Sequence, residues 1–478
     1  MAIQAEHTLE LRDGLVGLDI PVPLVDGRFV PYVNLDNAAS TPPFRSVTDT
    51  IERFLPYYSS VHRGAGYLSR VSTAAYEQAR ERVGRFVGAD PEHDAVLFGK
   101  NTTEAINKLA RSLRMAPGSV VLTTLLEHHS NDLPWRARTE TVHVRAWPDG
   151  TLDEDDLDRR LAEHRGRVAL LVVSGASNVT GLVQPVHRLA EKVHAAGGRI
   201  LVDAAQLLAH RPFDMRPHDD PGHIDFVALS GHKLYAPFGT GALVGRRDAF
   251  AAEPDHRGGG TIYAVTADDV AWAELPDREE AGSPNVVGAV ALAAALDTLE
   301  RIGLERIAAH EAHLTRYAVE RLERVPGLTL HGPAAAVAGG VVDKVGVVPF
   351  TIAGIPHGLV AAVLGYEHGV GVRSGCFCAQ PYIVHLLRVT PDAARRWIDQ
   401  ARLGDIRDTP GMVRISLGCY NDTADIDRAV DALDALVAGE VQGRYRCDDQ
   451  GTYTPEGYTE PRLFSLDPDV DPRLAPPW

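Results

Sequence analysis

Three polar segments of this sequence carry side chains able to do chemistry, and each follows an apolar run. Leu201-Val202 leads into Asp203-Ala204-Ala205-Gln206, Phe226–Leu229 into Ser230-Gly231-His232-Lys233, and Val168–Val173 toward Asn178-Val179-Thr180-Gly181. If those runs are strands of one parallel sheet, their carboxyl ends bring a carboxylate, an amide, a hydroxyl, an imidazole and an amine together where such sheets bind ligands. A lysine in that company matches what pyridoxal phosphate requires. The amine forms a Schiff base with the aldehyde, and an aspartate keeps the pyridine nitrogen protonated so that the ring accepts electrons. The phosphate needs backbone donors and hydroxyls, which Asn101-Thr102-Thr103-Glu104 supplies. There Asn101 caps a helix, Glu104 completes a capping box, and the helix N-terminus attracts a dianion. Each fragment alone reads as readily as ordinary helix capping. Their joint occurrence in one chain is harder to explain in that way.

The elements that must position these groups show as short apolar runs alternating with amphipathic stretches. Val168–Val173 reads as a buried strand, Pro185–Ala196 as a helix closed by Gly197-Gly198, and Arg199–Val202, Phe226–Leu229 and Gly241–Val244 as further strands. The alternation predicts a largely parallel α/β sheet with helices on both faces. Upstream, Ser72 is placed to cap a helix with Ala75, Ala79, Val83 and Val87 on one stripe and Gly88 as its stop. Ala291–Leu322 reads as helical and ends at Pro326-Gly327. The expected organisation is an N-terminal arm (1–33), a large domain (34–295), a smaller C-terminal domain (296–440) and an extended tail (441–478). From Arg444 to Trp478 the chain is rich in Pro, Asp, Gly and Tyr and lacks periodicity, as a surface tail would.

A chain of 478 residues exceeds what one hydrophobic core usually serves. With 45% apolar and 23% charged residues it is neither disordered nor fibrous. Its 48 basic and 64 acidic residues give a net charge of −16, spread along the chain, which disfavours nucleic acid and anionic membranes as partners. Four cysteines are too few for a disulfide framework, and Cys376 and Cys378 are too close for an unstrained mutual bridge. Free thiols in a reducing compartment are expected. Met1–His7 lacks the basic start and apolar run of a signal peptide, and no apolar segment approaches the ~20 residues that cross a bilayer. The expected location is the cytoplasm.

Longer segments extend the pattern. Val61-His62-Arg63-Gly64, Glu127-His128-His129-Ser130-Asn131, Leu201–Gln206, Ser230-Gly231-His232-Lys233-Leu234-Tyr235-Ala236-Pro237, Ala281-Gly282-Ser283-Pro284-Asn285 and Val372-Arg373-Ser374-Gly375-Cys376-Phe377-Cys378-Ala379-Gln380-Pro381 follow one another in order. Together they resemble the signature segments of class V aminotransferase-fold enzymes, most nearly the cysteine desulfurase and selenocysteine lyase branch. The similarity runs from about Asn34 to Asp425. It implies the type I fold of pyridoxal-phosphate transferases: a mainly parallel seven-stranded sheet in the large domain, a smaller α+β C-terminal domain, and a homodimer with shared active sites. By resemblance, Lys233 is the Schiff-base lysine, Asp203 partners the pyridine nitrogen, Gln206 contacts the ring hydroxyl, and His128 stacks on the ring. Thr102, Thr103, Ser230 and His232 hold the phosphate, with Ser283 reaching it from the other subunit where the family commonly has Thr. Arg414, in Val413-Arg414-Ile415-Ser416, grips the substrate carboxylate, aided by Asn178 and Arg373.

Cys378 decides the reaction type. A thiolate beside the substrate attacks its γ-sulfur, leaving a persulfide on Cys378 and releasing alanine; the persulfide sulfur would then pass to an acceptor protein or small molecule. The alternatives are a small buried cysteine in an enzyme of C–S lysis, transamination or epimerisation in a specialised pathway, or an idle scaffold. Intact Lys233, Asp203 and Arg414 argue against the scaffold. Cys376-x-Cys378 has no second ligand pair for zinc, and no metal is expected. His310-Glu311-Ala312-His313 reads as a solvated helix face, Gly239–Gly245 has one residue too many for a dinucleotide fingerprint, and Gly258-Gly259-Gly260 marks a turn, which the resemblance implies borders the site. His129 reads as a packed neighbour of His128. Cys376-Phe377 stands where related desulfurases often have two histidines, so Cys376 either resolves a persulfide or fills space. The stretch between Pro381 and Arg414, with Pro391–Arg402, is longer than the family suggests.

Overall fold

The structure is a computed structural model that describes residues 9–62, 64–250, 253–333, 342–461 and 463–466. Met1–His7, Arg63 of the Val61–Gly64 segment and the end of the expected tail lie outside the described residues. Seven strands form the main sheet: β1 (Asp94–Gly99), β2 (Val120–Thr124), β3 (Glu140–Val144), β4 (Val168–Ser174), β5 (Arg199–Asp203), β6 (Phe226–Ser230) and β7 (Gly241–Arg246). Their spatial order is β1-β7-β6-β5-β4-β2-β3. All neighbours are parallel except β7, which runs antiparallel to β1 and β6.

The strands read as near-continuous apolar runs because both faces are covered. On one face Val96, Leu122, Val173, Val202, Val227 and Val244 pack with the helices Arg45–Phe54, Tyr67–Phe86, Val186–Ala195 and Val286–Ile302. On the other, Leu97, Val121, Val172, Leu201, Ala228 and Leu243 pack with the helix Thr102–Ser112 and Trp135. A second sheet is antiparallel, in the order β8 (Leu328–Leu330), β9 (Val347–Ile352), β11 (Met412–Ser416), β10 (Arg373–Gly375). Val348, Phe350, Val413 and Ile415 from this sheet join a core with helices Leu304–Leu322, His357–His368 and Thr423–Val437.

Several expectations need correction. Ser72 caps nothing: the helix begins at Tyr67, and the Ser72 hydroxyl accepts from Ser59 N–H at 2.8 Å and donates to Tyr57 O at 3.0 Å. Its stripe of Ala79, Val83 and Val87 is buried as expected, and Gly88 stops the helix at φ +71°. The helical stretch from Ala291 is two helices broken at Gly303, whose φ of +93° interrupts the ladder. His310-Glu311 is no solvated face. His310 is fully buried, with Nδ1 accepting from Leu9 N–H at 3.2 Å, while Glu311 meets Arg211 and His210 at 2.7 Å each. Helical spacing could not show this, because the partners come from distant segments. The tail is not wholly irregular: Tyr445–Cys447 and Tyr453–Pro455 form a hairpin. Glu367 ties down its approach, accepting from the backbone N–H groups of Gln442 and Gly443 and from the Tyr445 hydroxyl. Pro391–Arg402 is a helix capped by Thr390, with no buried residue.

Gly241 lets the sheet approach the cavity helix closely. A Cβ there would lie 2.4 Å from Leu229 O and 2.6 Å from Asn101 Cα. Gly241→Ala should therefore destabilise the protein by about 1–3 kcal/mol in urea unfolding. Gly14→Ala, with open space at its Cβ, should cost less than about 0.5 kcal/mol.

Candidate active site

Strands β4, β5 and β6 end at a cavity of about 250 Å³, where the helix Thr102–Ser112 also begins. Every expected site residue except Ser283 lines it; Ser283 is exposed on a loop elsewhere on the chain. Asp203 ends β5 and accepts from Ala205 N–H at 3.0 Å. Burial raises its pKa, against the pull of Ala205 N–H and the Lys233 charge. Lys233 closes a short 3₁₀ turn, Gly231–Lys233, directly after β6. Desolvation draws its amine down to about 8, although Asp203 works the other way. An amine so poised is nucleophilic near neutral pH.

His128 follows β2 and caps the 3₁₀ turn His129–Asn131, with Nδ1 accepting from Ser130 N–H at 3.1 Å. Burial, then the neighbouring Lys233 charge, pushes its pKa down to about 3, so the ring is a neutral apolar face. Beneath it, Glu127 accepts from Thr124, Ser174 and Asn131 at 2.6, 2.7 and 2.7 Å. Burial holds the Glu127 carboxyl up at about 7.

At the other end of the cavity Asn101 caps its helix by accepting from Glu104 N–H at 3.0 Å. The reciprocal half of the expected capping box is missing, because the Glu104 carboxylate turns instead to Lys100 N–H. Thr102 N–H donates to Ser230 Oγ at 2.8 Å, and the Thr103 and Ser130 hydroxyls meet at 2.7 Å. Burial lowers His232 to about 4, leaving it neutral as well. Gln206 Nε2 donates to Ala38 O at 2.6 Å.

Arg414 on β11 forms the third wall. Its guanidinium donates to Asp36 Oδ1 and to Asn178 O at 2.9 Å each, and stacks over the Phe377 ring at 4.9 Å. Nε of Arg414 is buried without a partner among the described residues. Arg373 stands opposite Arg414 across the β10–β11 ladder, a like-charge pairing that would repel. Asp36 lies between them, 3.7 Å from Arg373.

Phe377 and Cys378 sit in the left-handed region at φ +52° and +54°, and Ala379 N–H closes on Cys376 O at 2.9 Å. This is the signature of a type I′ turn. A side chain in that region costs roughly 1–2 kcal/mol, so the turn needs external anchors. Asn178 Nδ2 donates to Phe377 O and His129 N–H to Cys378 O, each at 2.7 Å, and Gln380 N–H donates to His129 Nε2 at 3.1 Å. The turn leaves Cys378 exposed. Cys376 is half-buried against an apolar cluster with Leu126, Val179 and Tyr382, and burial raises its thiol pKa. That burial disfavours its thiolate.

Two contributors escaped sequence reasoning. Asp36 lies alone before Asn37 and carries no motif signal. His129 reads as packing because its partner, the Cys378 turn, is 249 positions and more away along the chain, visible only in three dimensions. The Gly258–Gly260 turn does not line the cavity. Among the described residues no group of three His, Cys, Asp or Glu side chains is arranged to hold a metal ion.

The donor set fits pyridoxal phosphate: a helix N-terminus with hydroxyls for a dianion, a desolvated amine for an aldehyde, a buried carboxylate for a pyridine nitrogen and a flat neutral imidazole. The comparisons agree with this class of site. The aminotransferase class-V family model matches residues 33–429, and the chain belongs to that family. It is 35% identical to a cysteine desulfurase of Pectobacterium atrosepticum over 432 residues, 88% of this chain and 97% of that protein. A cysteine desulfurase of Haloferax volcanii is likewise 35% identical, over 91% of this chain and 96% of its own. Among solved structures, the apo cysteine desulfurase of Thermococcus onnurineus superposes with a TM-score of 0.74 at 31% identity, covering 85% of this chain and 95% of that one.

The depressed Lys233 pKa gives a direct expectation. Only the neutral amine attacks an aldehyde, so uptake of pyridoxal phosphate by cofactor-free protein should accelerate with pH and level off above about 8. Stopped-flow absorbance checks it; a rate still climbing toward the ordinary lysine value of 10.5 would contradict the assignment.

Proposed function

We propose that this protein is a pyridoxal-phosphate-dependent cysteine desulfurase that takes sulfur from L-cysteine, or a related sulfur amino acid, onto Cys378 and releases alanine. The observation that carries this reading is Cys378 held by an anchored turn at the cavity that also contains Lys233 and Arg414. Asp203, His128, Gln206, Thr102, Thr103, Ser230 and His232 would hold the cofactor, which when bound supplies the electron sink for cleavage at the substrate Cα. The free Nε of Arg414, with Arg373 beside it, binds the substrate carboxylate. Asn178 fixes the backbone around that guanidinium. The Lys233 amine moves the proton at Cα. The Cys378 thiolate attacks the substrate sulfur: the S–S bond forms as the substrate C–S bond breaks, and the thiol proton of cysteine ends on the alanine methyl. A simple aminotransferase has no use for such a thiol.

Ser283, exposed and outside its own cavity, is consistent with a homodimer in which it reaches the partner's phosphate site. Exposed Tyr57, Tyr58, Tyr67 and Phe238 offer apolar surface for that association. The reading divides the chain into an arm (1–33), a cofactor domain (34–295), a smaller domain (296–440) and a tail (441–478). It also includes a cytoplasmic location and a sulfur acceptor of protein or small-molecule type. No helix among the described residues is long and apolar enough to cross a membrane.

Product analysis with L-cysteine tests the reading. Cys378→Ala should lower alanine formation at least about 100-fold while keeping the cofactor's visible absorbance, and Cys376→Ser should stay within about threefold of wild type. Lys233→Ala should abolish turnover. Unchanged turnover in Cys378→Ala would replace desulfuration by direct C–S lysis, and keto-acid formation with pyridoxamine phosphate would replace it by transamination.

A further inference from the structure

The turn that carries Cys378 is held by a residue outside the catalytic machinery. Its two central residues both adopt left-handed backbone angles, and neither is Gly or Asn, the types that accept such angles at low cost. A turn of this sequence persists only where its surroundings over-determine it. Asn178 holds Phe377 O from one side. From the other, His129 makes two bonds: its backbone N–H donates to Cys378 O at 2.7 Å, and its ring Nε2 accepts from Gln380 N–H at 3.1 Å. The second bond requires the neutral ring with its proton on Nδ1. His129 lies next to His128 on the loop after β2, so the bonds tie the thiol turn to the loop that presents the ring-stacking imidazole.

We propose that His129 is a positioning residue: it locks the Cys376–Ala379 turn and thereby sets where the Cys378 thiol stands relative to the substrate sulfur. The inference rests on the reading of Cys378 as the sulfur-accepting thiol. Without the ring acceptor, Gln380 N–H loses its partner, the turn relaxes from its strained angles, and the thiol spends less time within reach of the substrate. Misplacement of a reacting group by about 1 Å lowers rates by around 100-fold. The His129 ring bonds Gln380 N–H and none of the side chains assigned to the cofactor or the substrate carboxylate.

The test uses holoenzyme bearing His129→Ala or His129→Gln. Gln carries a side-chain oxygen able to accept from Gln380 N–H, whereas Ala does not, and both keep the backbone bond to Cys378 O. Two quantities are read: steady-state alanine formation from L-cysteine, and hydrogen exchange of the Cys376–Gln380 amides. His129→Ala should lose roughly 10–100-fold in kcat with KM within about twofold and normal cofactor absorbance. Its Gln380 amide should exchange at least about tenfold faster. His129→Gln should recover most of both. Unchanged exchange in His129→Ala, or a Gln variant no better than the Ala variant, overturns the proposal. If exchange follows the prediction but Cys378→Ala still forms alanine normally, the desulfurase reading fails while the locking role of His129 stands.

Discussion

The buried Arg414 guanidinium is the charge around which the site is assembled. A guanidinium does not shed its proton, so removing it from water is tolerable only with well-placed partners. Burial lowers its pKa and Asp36 opposes that shift. The partners reach Arg414 on strand β11 from three other parts of the chain: Asp36 near the start, the carbonyl of Asn178 after β4, and the Phe377 ring in the cysteine turn. Asp36 also offsets the repulsion between Arg414 and its cross-strand neighbour Arg373. Satisfying one buried charge therefore docks the second sheet against the ends of the first and closes the cavity.

Within that frame, environment assigns different jobs to side chains of similar type. Two imidazoles, His128 and His232, are pushed down by burial and stay neutral, one as a flat surface and one at the anion end. Lys233 keeps a depressed amine because the nearby Asp203 does not fully offset its desolvation. Cys376 and Cys378, separated by one residue, differ through the turn: one faces an apolar cluster, the other solvent and the cavity. The energetic cost of two left-handed residues is offset by bonds from Asn178 and His129, so groups outside the turn set where the Cys378 thiol stands.

Much of this was legible in the sequence, for physical reasons. Doubly covered parallel strands must be apolar throughout, so Val168–Val173, Arg199–Val202 and Phe226–Leu229 stood out, and the polar residues after them had to be where ligands bind. What stayed hidden depends on contacts distant in sequence. Ser72 looked like a cap because hydroxyls favour caps, but Ser59 and Tyr57 offered it tertiary partners inside the helix. His310 and Glu311 sat on a helix whose buried face was unknowable without Arg211, His210 and Leu9. Asp36 had no local pattern and His129 showed only as a neighbour of His128 in its segment, since their contacts exist only once the cysteine turn and β11 are folded beside them.

The central claim is that sulfur leaves the substrate by transfer to one particular thiol. Peptide mass spectrometry of holoenzyme, quenched after brief exposure to L-cysteine without an acceptor or reductant, addresses it most directly. The account predicts one additional sulfur atom on the peptide containing Cys378, localised to Cys378 and not to Cys376, in stoichiometric proportion to alanine formed in the first turnover. Alanine, sulfide or a keto acid accumulating while Cys378 carries no added sulfur would contradict it.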